Sequence, residues 1–493
     1  MSMLLRTPAI RAIEQAALAA GERLMARAGL AAATVAREML TAAPNQPARV
    51  LVLAGPGNNG GDAFEAACHL KAWGCAVLVC SATDPAQMPA DASRAARQWH
   101  AAAGASTDSL PASAGFDLVI DGMFGIGLTR PLGPPYAAWV SVINAANVPV
   151  LALDLPSGLD ADTGSLHGAA IRADRTITFI ADKPGLHTRH GPDHAGRIAV
   201  ATLELRPAQP SGADAGTLLQ VSDFSACLTP RLRNSHKGTY GSVGIVGGAA
   251  GMAGAALLAG RAAQKLGAGR VLVGMLDPGI ALDPLQPELM LQSALGVLDS
   301  RLNAAVVGPG LGQGDGAAGL VERAAALECP LVLDADALNL MAQNAKLAAA
   351  ITRRRHGTLM TPHPLEAARL LGQSLDAVQR DRIAAALTLA RLYHADVLLK
   401  GAGSVVAATD GRWWINPTGN PGMASGGMGD VLSGMVGACA AQDVPPLAAL
   451  LCATYLHGAA ADSLLADGIG PVGLTAGETI DRARLLRNRW TTS

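Results

Sequence analysis

Short apolar runs alternate with helix-like stretches along most of this chain. The opening forty residues differ, because IRAIEQAALAAGERLMARAG and AAATVAREML are rich in Ala, Leu, Met, Glu and Arg and predict a helical N-terminal arm. From Arg49 onward, VLVLAG (50–55), CAVLVC (75–80), DLVIDG (117–122), PVLALD (149–154), RTITFI (175–180) and RIAVAT (197–202) read as strands separated by helices. Runs that are apolar throughout, rather than alternating, predict strands covered on both faces, and their spacing predicts βαβ units. RPAQPSGADAGT (206–217) breaks the pattern as a Pro/Gly/Ala/Ser stretch suited to an interdomain connection. The alternation then restarts with SVGIVGG (242–248), RVLVGM (270–275), AAVVGPG (304–310), PLVLDAD (330–336), GTLMTPH (357–363), DVLLKG (396–401), SVVAAT (404–409) and RWWINP (412–417). The expectation is two α/β domains, 1–215 and 223–493, joined by a linker at 216–222, each with a mostly parallel sheet.

Composition narrows the function classes. Of 493 residues, 38 are Lys or Arg and 39 Asp or Glu, a formal charge of −1, which supplies no field for nucleic acid or an anionic membrane. Half the residues are hydrophobic, yet only 6 Trp, 4 Tyr and 5 Phe are present beside 57 Gly and 29 Pro. The cores must therefore be built from Ala, Val, Leu and Ile, with many places where backbone can approach something closely. The start, with Arg6 and Glu14 and no apolar run of signal-peptide length, reads as cytoplasmic. Gly238 to Gly260 is uncharged apart from its flanks but carries eight glycines, so a strand, a turn and a helix explain it better than a membrane span. Seven cysteines without a CxxC pair read as buried thiols in a reducing compartment, with no zinc or iron–sulfur site.

The first strand runs into GPGNNGGDAFEAACHL, a Gly-rich turn opening a helix, where backbone N–H groups and the helix N-terminus make an anion site. Gly55, Gly57 and Gly60 satisfy a dinucleotide fingerprint that is weak alone and equally describes an ordinary tight turn. Gly61 and Asp62 stand where a P-loop needs Lys and Ser or Thr. Asn58, Asn59 and Asp62 add polar groups that a turn does not need. Asp121 in DGMFGIGLTRP, and Asp154 with Ser157 in DLPSGLDADTG, close later strands. Carboxyl ends of parallel strands converge on one crevice, and oxygen donors gathered there suit a hard cation.

GPGNNGGD, DGMFGIGL, DLPSGLDADTG and TFIADKPGL, in that order, resemble the NAD(P)H-hydrate epimerase domain, and the likeness covers residues 1 to about 215. It implies a Rossmann-like three-layer sandwich in which Asn58, Asn59, Gly60, Gly61 and Asp62, with Gly125, Ile126, Gly127, Leu128, Thr129, Arg130, Pro131 and Asp154, contact the hydrated dinucleotide. It also implies a potassium ion held by Asn59, Asp121 and Ser157. Epimerisation of a hydroxyl-bearing carbon beside a ring nitrogen calls for an acid or a base, for which Asp154 leads. Lys183 reads either as a second catalytic group or as a solvated lysine before a Pro-Gly turn. Relatives carry Gly after NGGD where this chain has Ala63. Ala63 is strained if that position needs a positive φ and harmless if it is helical.

The second half opens with NSHKGTYGSVGIVGG and a helix led by Gly254, Ala255 and Ala256, small residues that permit close approach of a ligand or of another backbone. LMTPHPLEAARL fixes His363 between two prolines at a helix start. In NPGMASGGMGDVLSGMVGA, Gly426, Gly427 and Gly429 precede Asp430. Consecutive N–H groups there can surround a transferring phosphoryl group while Asp430 accepts a hydroxyl proton. With HKGTYGSV, TPHP, KGAGS and GNPGMASGGMGD in order, residues 223 to about 490 resemble the ADP/ATP-dependent NAD(P)H-hydrate dehydratase domain, a ribokinase-like three-layer sandwich. The resemblance implies that Ala255, Gly310, His363 and Asp430 contact the hydrate, with Asp430 catalytic. It implies that Lys400, Gly401, Ala402, Gly403, Ser404 and Gly429 hold the nucleotide, with ADP and Mg²⁺ as co-substrate and cofactor. The expected substrates are NADH hydrate and NADPH hydrate, the expected assembly a homo-oligomer. Three rivals stand beside this reading. One is a ribokinase-like kinase that stops at a phosphorylated product. Another is an NAD-dependent dehydrogenase, disfavoured because no acid ends the strand VLVC, the nearest being Asp84. The last is a non-catalytic binding module.

Overall fold

The computed structural model describes residues 2–40, 47–111, 115–205, 212–277 and 279–492. They divide into two compact units, Ser2–Gly216 and Thr217–Ser493.

The N-terminal unit is built on seven parallel strands in the order Ala105–Thr107, Ala76–Cys80, Arg49–Ala54, Leu118–Gly122, Val150–Leu153, Arg175–Phe179 and Arg197–Ala201. Alternate residues of the central strand serve two different cores. Val50 and Val52 join the helices Leu24–Met39 and Asn58–Ala72, while Leu51 and Leu53 join Trp139, Val140 and Ile143 of Tyr136–Ala145. A strand covered on both faces needs apolar residues at every position, and this is the origin of its unbroken apolar run. The chain moves outward from the central strand in one direction, then crosses back to add Leu118–Gly122 on its other side, so the order reverses between these two strands. Such a reversal opens a crevice at their carboxyl ends.

Two features depart from the sequence pattern. The N-terminal arm is not helical throughout, because Ser2–Leu5 is a strand whose Leu4 and Leu5 are fully buried and whose Leu5 N–H donates to Asp182. Helices Thr7–Ala19 and Leu24–Met39 follow, the first opened by Pro8. The polar edge strand Ala105–Thr107 carries no apolar run to announce it.

The C-terminal unit has ten strands, in the order Ala215–Leu218, Trp413–Ile415, Val405–Ala407, Asp396–Leu399, Thr358–Met360, Leu331–Leu333, Ala304–Val307, Ser242–Gly247, Arg270–Met275 and Met290–Ser293. All neighbours are parallel except the pairs made by Val405–Ala407, which is antiparallel to both its partners. Helices cover both faces, completing a three-layer sandwich. The order reverses between Ser242–Gly247 and Ala304–Val307. The linker expected at 216–222 is structured instead: Thr217 and Leu218 pair with Trp414 and Ile415 at the sheet edge, and a 3-10 helix starts at Val221. Residues 206–211 of the expected connecting stretch lie outside the described residues. Gly238 to Gly260 forms a 3-10 turn, the strand Ser242–Gly247 and the start of Ala253–Lys265. Among the described residues one helix, Pro446–Ala466, is long and apolar enough to cross a membrane, and most of it is buried inside the unit.

Small residues set how closely helices meet. Met428–Ala440 lies against Ala253–Lys265, and a Cβ on Gly434 would stand 2.1 Å from the carbonyl oxygen of Ala259. Gly434→Ala is therefore expected to lower unfolding stability by about 1–3 kcal/mol through overpacking. Gly319→Ala, in a helix where no atom lies within 4 Å of the added Cβ, is expected to raise it by about 0.5–1 kcal/mol. Thermal melts of the two variants check the pair.

Candidate functional sites

The crevice of the N-terminal unit holds a cavity of about 370 Å³. Asn58, Asn59 and Asp62 reach it from the first turns of Asn58–Ala72, Gly125 to Leu128 from the loop after Leu118–Gly122, and Asp154 from the end of Val150–Leu153. Helix Thr7–Ala19 adds Arg11 and Glu14. Gly60 and Gly61 are buried behind this wall, where Gly60 lets the helix start pass Gly55: a Cβ on Gly60 would be 2.0 Å from the Gly55 oxygen. Thr129, Arg130 and Pro131 are exposed and lie outside the cavity lining. Ala63 sits inside the helix without a positive φ, fully buried, so the substitution of Gly by Ala there is harmless.

Lys183 is not a surface lysine. Its side chain is 1% exposed, and its Nζ lies 2.8 Å from Asp154 Oδ1 while donating to Thr178 Oγ1 at 2.6 Å and to the Phe179 carbonyl at 3.0 Å. Asp154 Oδ2 accepts from the Ile126 N–H, which ties the 125–128 loop to the same carboxylate. The Asp154 backbone has φ +64°, a left-handed conformation costly for a residue with a Cβ. The tertiary structure thus holds this side chain where its own backbone preference would not. Burial, followed by the charge of Asp154, raises the Glu14 carboxyl. Asp62 is raised well above the ordinary aspartate range by burial and then by Asp154, Glu14 and Glu65.

Asn59, Asp121 and Ser157 form a second group below the cavity. Asp121 is fully buried, and burial pushes it up to about 6 even though it accepts from the Ser157 hydroxyl, the Ser157 N–H and the Met123 N–H. The Asn59 amide donates to the Leu153 carbonyl, which leaves its Oδ1 buried without a hydrogen-bond partner. A Cβ on Gly122, beside Asp121, would lie 3.1 Å from the Asn59 carbonyl oxygen, so the two residues are neighbours. The orphaned Asn59 Oδ1 and the buried Asp121 carboxylate are each oxygen donors of the kind a monovalent cation satisfies.

In the C-terminal unit the strand ends gather one site around Lys400. Its Nζ lies 2.8 Å from Asp334 Oδ1. Burial works against this ammonium, but the carboxylates of Asp334, Glu366 and Asp430 outweigh it and raise its pKa. Gly429 is adjacent, since a Cβ there would stand 3.3 Å from Lys400 Nζ, so the structure brings the KGAGS turn and the Gly-Asp turn together. Ser404 closes that turn by accepting from the Gly401 N–H and donating to the Gly401 carbonyl. Asp430, on the first turn of Met428–Ala440, is pushed up to about 6, mainly by burial and then by Asp334. At neutral pH it is largely ionised, close to the proton affinity a general base needs. Ala255 and Gly310 face one another, as a Cβ on Gly310 would approach that of Ala255 to 3.1 Å.

His363 caps Pro364–Leu371. Its Nδ1 accepts from the Leu365 and Glu366 N–H groups, its own N–H donates to Glu366 Oε2, and its Nε2 lies 3.2 Å from Glu366 Oε1. Glu366, nearly fully buried, is pushed up to about 7 by burial, against the opposing charge of Lys400.

Several members of these sites escaped the sequence reading. Asp334 and Asp336 lie in PLVLDAD, where the end of an apolar run was the available signal. Glu366 stands three residues after His363, the spacing of a capping box. Glu14 and Arg11 enter from a separate helix that the N-terminal pattern did not direct toward the site. His457, buried with an unpartnered Nε2 and lowered to about 4 by burial and Lys400, sits mid-helix without any local mark. The electrostatics are open to direct measurement: the Asp430 carboxyl is expected to titrate near pH 6 by NMR, and Asp334→Asn to move its midpoint downward, because a negative charge is removed and Lys400 released.

The family model described as NAD(P)H-hydrate dehydratase matches residues 243–480, and the model for the YjeF-related protein N-terminus matches residues 21–185. The bifunctional NAD(P)H-hydrate repair enzyme Nnr of Coxiella burnetii is 36% identical over 99% of this chain and 100% of its own length. That of Escherichia coli is 40% identical over 92% of this chain and 87% of its own. Among solved structures, the ADP/ATP-dependent NAD(P)H-hydrate dehydratase of Bacillus subtilis, co-crystallised with ATP and Mg²⁺, is 33% identical and covers 56% of this chain and 99% of its own, with a TM-score of 0.49. By near full-length similarity to its relatives, the chain belongs to the bifunctional NAD(P)H-hydrate repair enzymes.

Proposed function

We propose that the N-terminal unit interconverts the R and S epimers of NADH hydrate and NADPH hydrate, and that the C-terminal unit returns the S epimer to NADH or NADPH at the expense of ADP. The observation that carries the second half is Asp430, half-buried at the mouth of a glycine turn, with the Lys400 ammonium beside that turn. Asp430 accepts the proton of the hydrate hydroxyl, and the hydroxyl oxygen takes the terminal phosphoryl group of ADP, releasing AMP. The C–O bond to phosphate then breaks with loss of a proton from the neighbouring carbon, and the ring double bond forms. Phosphate replaces hydroxide as the leaving group, which is the physical reason a kinase-like site suits a dehydration. Gly426, Gly427 and Gly429 offer backbone N–H groups to the transferring group, and Lys400 to Ser404 hold the nucleotide. The carboxylate oxygens of Asp334 and Glu366 fit a Mg²⁺ ion, which supplies positive charge to the phosphoryl group when bound.

In the N-terminal unit, Asp154 is the base and Lys183 offsets its charge. Asn59, Asp121 and Ser157 hold potassium, a reading supported by the orphaned Asn59 oxygen and the uncompensated Asp121. The seven free thiols support a cytoplasmic location, and a homo-oligomer completes the reading.

A coupled assay tests the whole. The intact chain with ADP is expected to regain the absorbance of reduced nicotinamide from both epimers, and a stable phosphorylated product without that absorbance would sink the dehydratase reading. Asp154→Asn is expected to leave conversion of the S epimer intact and to abolish enzymatic use of the R epimer. Asp430 must be ionised to act, so dehydratase kcat/KM is expected to fall as pH drops through about 6. Asp430→Asn is expected to cost about 100-fold or more, as loss of a general base does.

A further inference from the structure

The cavity of the N-terminal unit contains more acid than the binding of a hydroxylated ring requires. Asp62, Glu14 and Asp154 line it from three different elements, and the buried ammonium of Lys183, behind that lining, is held by Asp154 at 2.8 Å. Asp62 faces Glu14 and Arg11 from Thr7–Ala19, Asp91 from Ala90–Ala101, Glu65 from its own helix, and Asp154 with Lys183 behind it. Among the described residues its carboxyl has neither a hydrogen bond nor an ion pair. A carboxyl group placed in a cavity wall without a donor or a cation has its proton as its remaining means of interaction. Asp154 is in the opposite situation, with an ammonium, a hydroxyl and a backbone N–H directed at it. Two carboxyls in one cavity, one without a donor or a cation and the other met by both, are placed as an acid and base pair.

We propose that Asp62 is the general acid of the epimerisation and works from one wall of the cavity against Asp154, the base on the other. This rests on the epimerase reading above. The Asp62 proton passes to the hydroxyl on the ring carbon next to the nitrogen. The carbon–oxygen bond breaks, its electron pair leaves with the oxygen as water, and the nitrogen lone pair closes a carbon–nitrogen double bond. Solvent water attacks the same carbon from the opposite face, a new carbon–oxygen bond forms, the nitrogen recovers its lone pair, and Asp154 takes the proton. One water leaves and one enters. Asp62 ends ionised and Asp154 protonated, which is the state that runs the opposite conversion, and exchange with solvent resets the pair. Burial and the charges of Asp154, Glu14 and Glu65 raise Asp62 and so support its entering the reaction protonated. Glu14 is a positioning residue that acts through Asp62.

Epimer interconversion by the full chain, followed by NMR without ADP across mildly acid to alkaline pH, tests this. The unsubstituted chain is expected to lose kcat as pH rises through the Asp62 pKa. Asp62→Asn is expected to lower kcat about 100-fold or more with KM within about threefold and to abolish the alkaline limb, and Asp62→Glu to recover part of kcat. Glu14→Gln removes a negative charge beside Asp62, lowers its pKa and is expected to move the alkaline limb to lower pH. An Asp62→Asn chain that melts like the parent and keeps its kcat and alkaline limb overturns the proposal while leaving the epimerase reading standing. Absence of interconversion in the unsubstituted chain overturns both.

Discussion

Each half of this molecule places a lysine ammonium among more carboxyl groups than it can neutralise. Lys183 serves Asp154 while Asp62 and Glu14 share the same cavity. Lys400 serves Asp334 while Glu366 and Asp430 stand nearby. Burial, and then neighbouring like charge, raises the Glu14, Asp62 and Asp430 carboxyls. The carboxyls thereby meet different surroundings without any of them differing in intrinsic chemistry. Removing either lysine would leave its carboxylate partner without that counter-charge.

The fold makes such crowding possible. In both units the sheet reverses its strand order, and the residues that follow the flanking strands are delivered to one edge. Loops alone would have to be ordered one by one, whereas strand ends are fixed by the ladder behind them. The scarcity of aromatic residues belongs to the same design. With Ala and Gly at the helix contacts, as at Gly434 against Ala259, helices approach until backbone meets backbone.

The architecture was largely legible in the sequence because strands buried on both faces must be apolar throughout, and fourteen such runs announced themselves. The elements that were not seen are those without that requirement: the polar edge strands Ala105–Thr107 and Met290–Ser293, the strand Ser2–Leu5 embedded in helix-forming composition, and Ala215–Leu218 in a stretch that resembles a linker. The site was legible wherever glycines and polar residues crowd a turn, as in the segments around Asp62, Asp154 and Asp430. It was not legible where a residue joins the site through tertiary packing alone. Glu14 and His457 lie on helices whose local sequence says only that a helix forms, and the burial of Lys183 depends on Thr178 and the Phe179 carbonyl rather than on the turn that follows it.

Several site residues stand in conformations that glycine would occupy with less strain, among them Asp154, with Ile180 and Leu203 in the lining of the same cavity, and Ala335 at φ +50° between Asp334 and Asp336. Each such residue costs on the order of 1–3 kcal/mol. Glycine at 335 would relax that backbone but would also give the segment between the two flanking carboxylates more freedom. Alanine at 335 narrows the freedom of the backbone between Asp334 and Asp336, so the spacing of these two carboxylates is set at a cost in local strain.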